Sequence, residues 1–324
     1  MSILLSVLIP TFDREFFLDQ CLNSIIVDLA YADSFEVIIS NNCSKDGTIN
    51  CVNLYKKRNP MLNIKLINQS GHLSMMEHLH VIHNYAAGRF CLILGDDDLL
   101  YPYSIDFICK KILNKNFDIL HLNRSIKNKD LSLIIKDKQY NLDGDIEFSS
   151  FADLVIPFGL ISGVGFISSV VFKNAVSNID NANWLESLSI YSNTYRFFSL
   201  FNNSKCIATD EKCVVHRQYN QRGDQLDVFF HEVLMNTPKC LLKLLDMKII
   251  KPDQLCRIVE ESDPAEKKYT LLPQRLYEII YSFEEKLKTV STKELCYLES
   301  LAQRMPSTFF SSLYSNLKNT ISSR

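Results

Sequence analysis

Three consecutive aspartates, Asp96, Asp97 and Asp98, follow directly on the apolar run Phe90–Leu94 and a single glycine, Gly95. Adjacent carboxylates repel one another, which costs stability unless water or a cation offsets the charge. A hard divalent cation held by one or two carboxylates together with substrate phosphates is the commonest natural use of such a cluster. A solvated acidic turn is the competing reading, and for an isolated Asp-Asp-Asp it would prevail. Here the preceding apolar run reads as a buried strand, and Gly95 is expected to let the backbone turn sharply at its end. The charges then lie at the C-terminal edge of a strand, where ligands bind in open α/β sheets.

Other polar residues follow strand-like runs in the same way. Asp13 follows Leu4–Ile9, a run ended by Pro10, and Asn41 follows Phe35–Ile39 in a turn-rich segment that continues to Gly47. Helical spacing is expected over Phe16–Leu29, Thr48–Arg58, Ser74–Ala87 and Tyr103–Leu113, with further strands at Ile64–Ile67 and Asp118–Leu122. Strands spaced by helices imply βαβ units and a mostly parallel sheet. Right-handed crossovers put all the strand C-termini on one edge. Asp13, Asn41 and Asp96–Asp98 should therefore gather there and form a nucleotide-type site.

Further along, residues 125–150 read as a polar excursion or an edge hairpin. Gly159–Phe172 reads as a glycine-loosened turn and a strand, Trp184–Phe201 as a helix, and Lys212–His216 as a last strand. From about Asp227 the pattern is helical and amphipathic, broken at Pro238, Pro252, Pro264, Pro273 and Pro306.

The 324 residues carry 35 basic against 37 acidic side chains, so nothing argues for nucleic acid as a main partner. The ten cysteines form no Cys-x-x-Cys pair and read as small buried hydrophobes in a reducing compartment. The N-terminus has no basic leader and reads as a first strand rather than a signal peptide. No apolar run is long enough to span a bilayer, so a cytoplasmic protein is expected. His72, His78, His80 and His83 cluster, and Glu77 shares a helical face with His80, a spacing used in carboxylate-bridged metal sites. The second copy of that motif is missing, so solvated or hydrogen-bonded histidines are expected instead.

At this point the motifs resemble a known family. Val7–Arg14 resembles the opening strand and loop of family-two glycosyltransferases, Ser40–Thr48 their second motif, and Gly88–Asp98 their metal-binding DxD segment. Phe166–Phe172, with the helix around Tyr191, is similar to the abequosyltransferase-like branch acting on bacterial O-antigens. The resemblance implies an α/β GT-A fold, Rossmann-like, with a mostly parallel central sheet, flanking helices and a C-terminal helical extension. It implies a catalytic domain over 1–222, with a nucleotide-sugar half at 1–122 and an acceptor half at 123–222, then a helical region at 223–324. The reaction implied is sugar transfer from a nucleoside diphosphate sugar, usually with inversion, aided by Mg²⁺ or Mn²⁺ at the diphosphate.

On this pattern Asp98 is the metal ligand. Asp96 assists the metal or meets the ribose, and Asp97 borders the same nucleotide-sugar site. Pro10, Thr11, Asp13 and Asn41 line the nucleoside pocket. Asp46 is expected to cap the following helix, with Gly47 permitting the turn. The family usually carries Asp at the position of Asn41, where a carboxylate accepts a pyrimidine ring N–H. Two readings stand: a carboxamide suited to a cytidine diphosphate sugar, or an asparagine tolerated in a uridine or thymidine pocket. His72-Leu73-Ser74 and Glu77-His78 also depart from the family's Asn-Leu-Gly and Arg-Asn.

An inverting transfer needs a general base. Glu186 is the leading candidate and Asp180 the second, although a carboxylate in a helix's first turn also suits the macrodipole without any chemistry. Trp184 and Tyr191 offer a stacking platform, with core packing the alternative for Tyr191. His216 and Arg217, with Arg222, are placed to meet the diphosphate, or else form a basic surface loop. The implied acceptor is a lipid-linked oligosaccharide of a bacterial surface polysaccharide. Leu301–Arg324, which has no Asp or Glu, is then either a peripheral membrane contact or an ordinary packing helix. A nucleotidyltransferase would carry a Gly- and Arg/Lys-rich phosphate loop after the first strand, and Pro10–Arg14 contains no glycine. A catalytically silent homologue that organises a biosynthetic complex is the remaining alternative.

Overall fold

A computed structural model describes residues 2–160, 163–175, 192–218, 237–251, 253–254 and 257–258. The chain divides into two compact units, residues 1–150, 166–180 and 203–222 in one, and 151–165, 181–202 and 223–324 in the other.

The first unit contains β1 (Leu5–Thr11), α1 (Glu15–Asn23), β2 (Phe35–Asn41), α2 (Thr48–Arg58), β3 (Ile64–Asn68), α3 (Met75–His83) and β4 (Phe90–Ile93). It continues with β5 (Leu99–Leu100), α4 (Ser104–Asn114), β6 (Ile119–Lys127), β7 (Ile134–Lys136), β8 (Ile146–Phe148), β9 (Val170–Lys173) and β10 (Cys206–Arg217). The strands form one sheet in the order β3-β2-β1-β4-β9-β6-β10-β5, with β7 on β6 and β8 on β10. Every residue of β2 and β4 is buried, as expected of parallel strands covered on both faces. Leu18, Cys21 and Leu22 of α1, with Cys51, Val52 and Tyr55 of α2, pack over Val7, Ile9, Val37 and Ile39 in one core.

The sequence pattern misses strand direction and several boundaries. β9 runs antiparallel between β4 and β6, and β5 antiparallel to β10, so the sheet is mixed. β10 is 12 residues long and runs parallel to β6, well beyond the expected Lys212–His216. β6 extends to Lys127 rather than Leu122, and residues 125–150 hold the antiparallel β6–β7 hairpin. The expected helix Phe16–Leu29 stops at Asn23, where the Ser24 hydroxyl donates to the Cys21 carbonyl at 2.6 Å. The β-branched Ile25-Ile26-Val27 then gives no support to a helix. α3 ends at His83, short of Ala87. It starts on a capping box in which Glu77 accepts from the Ser74 N–H and the Ser74 hydroxyl accepts from the Glu77 N–H.

At the N-terminal end of the strands lies a buried carboxylate with its charge fully met. Glu36 accepts from the Ser6 hydroxyl (2.6 Å), the Lys65 ammonium (2.6 Å) and the Ala87 N–H (2.7 Å). Burial alone would raise this carboxyl, but these bonds prevail and hold it below the usual range. Gly88 donates to the Ser6 hydroxyl, and a Cβ there would stand 2.5 Å from the Ser6 backbone nitrogen. Only glycine fits that approach.

The second unit contains α5 (Phe151–Phe158), α6 (Ser192–Phe201) and α7 (Thr237–Asp246). α5, which the sequence pattern left unassigned, meets α6 through Phe151, with ring centroids 5.8 Å from Phe197 and 4.9 Å from Phe198. Of the expected Trp184–Phe201 helix, α6 is the described part. Asp180, Trp184, Glu186, Tyr191, Arg222 and the segment 301–324 lie outside the described residues. Among the described residues the eight cysteines are free, and all but Cys43 are buried. No described helix is long and apolar enough to cross a membrane.

Candidate active site

β1, β2, β4, β6 and β10 point the same way, so their C-terminal ends share one edge of the sheet. Thr11, Asn41, the Asp96–Asp98 turn and Arg217 all stand there. The aspartates are not solvated: Asp96 is 7% exposed and Asp98 4%. Asp96 accepts from the Thr11 hydroxyl at 2.8 Å. One Arg14 nitrogen donates to Asp96 at 3.3 Å and to Asp97 at 2.6 Å. Burial works against the Arg14 charge, but the two aspartates outweigh it and raise its pKa. Burial pushes the Asp96 carboxyl up to about 6, against the pull of Arg14.

Asp98 is met differently. The Ser168 hydroxyl donates to it at 2.6 Å, and the Arg217 backbone N–H donates at 3.1 Å. Ser168 in turn accepts from the Gly95 N–H at 2.9 Å, so one hydroxyl joins the turn to the carboxylate. Burial pushes the Asp98 carboxyl up to about 8, and Asp97 adds to the rise. The two hydrogen bonds and the charge of Arg124 pull the other way without cancelling it. Arg124 itself is buried, with its guanidinium 4.4 Å from the centre of the Phe166 ring, which lies 4.3 Å from the His216 ring. Burial, and then Arg124, drive His216 down to about 3, so it is neutral at ordinary pH. Gly95 turns without a left-handed φ. What it supplies is room, because a Cβ would lie 3.0 Å from Asp98 Oδ2 and 3.1 Å from Asp97 Oδ1.

The loops after β1 and β2 are tied to one another. Asp13, at φ 49°, accepts from the Lys45 N–H at 2.6 Å, and its own N–H donates to the Ser44 hydroxyl. Asn41 accepts from the Ser44 N–H and donates from Nδ2 to Asn68 Oδ1, both at 3.0 Å. Asn42 is bonded in both directions to the backbone of Leu73. Asp46 accepts from Thr48 N and from Glu15 N, so it ties down the first turns of α2 and α1 together. Gly47 adopts an ordinary φ of −76°, and a Cβ there would lie 2.2 Å from the Glu15 carboxylate. Neither a left-handed turn nor a backbone clash requires this glycine, since the Glu15 side chain can move aside. His72 stacks on Phe12 at 4.5 Å, and buried His78 meets the Ser40 hydroxyl at 2.8 Å.

The aspartates suit a metal completed by substrate. Among the described residues no three His, Cys, Asp or Glu side chains form a self-sufficient metal cluster. Asp96 and Asp98 offer hard oxygen donors, and the Asp98 carboxyl, raised by burial, is one that a bound cation would help to ionise. That donor set fits Mg²⁺ or Mn²⁺ with a diphosphate supplying the remaining oxygens.

A family model described as Glycosyl transferase family 2 matches residues 6–176, more than half of the chain. The chain belongs to the family-2 glycosyltransferases. Over 220 residues this glycosyltransferase is 26% identical to the abequosyltransferase RfbV of Salmonella typhimurium, a match covering 63% of each chain. Its fold is that of Staphylococcus aureus TarS residues 1–349, solved with UDP-GlcNAc (TM-score 0.65, 15% identity, 94% of this chain and 82% of that one). It is also similar to the mannosyltransferase PcManGT of Pyrobaculum calidifontis, solved with GDP-Man and Mn²⁺ (TM-score 0.52, 13% identity, 97% of this chain and 84% of that one).

Of the residues named from sequence, the glycosyltransferase brings Thr11, Asp13, Asn41 and Asp96–Asp98 to one edge, with Pro10 inside β1 behind them. Arg217 joins them. It is the last residue of β10, buried, and donates from Nε to the Asp97 carbonyl at 2.8 Å, so the surface-loop reading fails for it. Sequence reasoning missed Ser168 and Arg124 as supports of Asp98, and Arg14 as its neighbours' counter-charge. Arg14 and Ser168 stand inside motifs already recognised, which was the available signal.

Proposed function

We propose that this glycosyltransferase moves a sugar, with inversion, from a nucleoside diphosphate sugar to a lipid-linked oligosaccharide of a bacterial surface polysaccharide, working in the cytoplasm. The observation that carries the reading is the buried Asp98 at the strand edge, hydrogen-bonded yet short of positive charge. Bound Mg²⁺ or Mn²⁺ would supply the charge that steadies a departing diphosphate. Asp98 and Asp96 are its ligands in this proposal. Thr11 and Arg14 orient Asp96, Ser168 orients Asp98, and Arg217 holds the Asp97 turn.

In the transfer the acceptor oxygen bonds to the anomeric carbon as the bond to the diphosphate oxygen breaks. Glu186, or Asp180 in its place, takes the acceptor proton. The O-antigen setting draws support from the likeness to an abequosyltransferase, and the nucleotide-sugar donor from the ligands of TarS and PcManGT. For the base we propose cytosine. Ser44 and Asn68 fix the Asn41 carboxamide, and its second Nδ2 hydrogen, not engaged among the described residues, suits the unprotonated ring nitrogen of cytosine.

The test is transfer or hydrolysis from a panel of sugar nucleotides with Mn²⁺, against an Asp98→Ala control. Turnover lost in the control supports the proposal. Nucleotide binding with no turnover from any donor would favour the silent homologue. Competition among CMP, UMP, GMP and dTMP tests the base, and indifference to CMP would sink the cytosine assignment.

A further inference from the structure

The β6–β7 hairpin presents an apolar run to solvent. Leu133, Ile134 and Ile135 are 61%, 53% and 43% exposed, so neither face of this short edge strand is covered. Isolated exposed aliphatic residues are ordinary, but three in succession on a sheet edge mark a contact surface. The turn behind them is firmly built. Asn128 N donates to the Leu133 carbonyl at 3.1 Å, Leu133 N to Asn128 Oδ1 at 2.9 Å, and Asn128 Nδ2 to the Ser132 hydroxyl at 3.2 Å. Ser132 donates to Asp130 from both its N–H and its hydroxyl. The polar groups of the turn thus answer one another, which is what an apolar medium demands of backbone.

Charge indicates the partner. Lys127, Lys129 and Lys136 flank the run, against Asp130 and Asp137, while Lys138 is already paired with Asp210. Asp137 is already bonded to Lys212 at 2.9 Å. Two copies pairing along β7 would set these lysines against each other, whereas an anionic lipid surface would neutralise them. Phe16, 66% exposed, shares a cavity of about 490 Å³ with Asn128, Lys129 and Arg217. Arg217 bonds the Lys129 carbonyl at 2.6 Å and the Asp97 carbonyl at 2.8 Å, so the hairpin base is fastened to the carboxylate turn.

We propose that the β6–β7 hairpin, with Phe16, docks on an anionic bilayer, its lysines at the lipid phosphates and Leu133, Ile134 and Ile135 in the interface. Docking there sets the cavity, and through Arg217 the strand-edge site, at the plane where a lipid-linked acceptor lies. The placing of the acceptor rests on the proposed function, whereas the docking itself is read with no donor or acceptor present, so the two can fail separately.

The experiment is cosedimentation of the full chain with phosphatidylethanolamine–phosphatidylglycerol vesicles and with phosphatidylcholine vesicles. Binding to the anionic vesicles alone is expected. An Ile134→Ser/Ile135→Ser variant should weaken it about tenfold, and Lys136→Glu about fivefold or more, with melting temperature and nucleotide binding unchanged. Three results would overturn the proposal: no binding by the wild type, equal binding by the double variant, or a wild-type dimer that the double variant dissociates.

Discussion

Two buried carboxylates, Glu36 and Asp98, sit at opposite ends of the same sheet and are treated in opposite ways. Glu36 receives a lysine, a hydroxyl and a backbone N–H, and its pKa is lowered. Among the described residues Asp98 receives a hydroxyl and a backbone N–H but no direct cation, lies next to Asp97, and is pushed up to about 8. Burial is the largest influence on both. What differs is whether the fold itself supplies the compensating charge. Where it does, the carboxylate stabilises the sheet, and where it does not, the carboxyl is the one we propose as a ligand for the metal.

That contrast is open to direct attack by substitution. Asp98→Ala should lower kcat by about a thousandfold or more while leaving the melting temperature unchanged or raised, since a carboxyl whose raised pKa costs stability above its ordinary range is removed. Glu36→Ala should do the reverse and cost about 2–4 kcal/mol in urea unfolding, with turnover per folded molecule retained. A pH series sharpens the Glu36 side. A carboxyl lowered in the folded state binds fewer protons there than when unfolded, so its contribution is full above its ordinary value of 4.5 and fades as pH falls through the lowered one. In Glu36→Gln that acid-side loss should shrink. Gly88→Ala should cost about 1–3 kcal/mol through its clash with the Ser6 backbone and leave nucleotide binding unchanged. The smallest effect is expected for Ser168→Ala, a drop of about tenfold in kcat/KM from the lost hydrogen bonds to Asp98 and Gly95.

Much of the Asp98 end was legible in the sequence. Apolar runs closed by Pro10, Asn41 and Gly95 announce buried strands, and alternation with helices announces a common edge. Direction was not legible for β9, because a strand buried on both faces reads alike either way. The supports of Asp98 were also hidden: Ser168 is 70 residues away along the chain and Arg217 119. No local spacing records such a meeting. Gly47 and Gly95 looked like turn glycines, yet neither has a left-handed φ, and Gly95 instead leaves room for the Asp97 and Asp98 carboxylates, which only the folded chain reveals. The Glu36 network escaped notice for the same reason, since Ser6, Lys65 and Ala87 meet it from β1, β3 and the loop after α3.

Asp98 is proposed as the ligand that the fold leaves for a metal-bound diphosphate. Calorimetric titration of CDP and UDP, with and without Mn²⁺, into wild type, Asp98→Asn and Glu36→Gln measures it. Mn²⁺-dependent binding is expected in wild type and Glu36→Gln, and its loss in Asp98→Asn. Equal affinity with and without Mn²⁺ in wild type, or Mn²⁺-dependent binding preserved in Asp98→Asn, would contradict it.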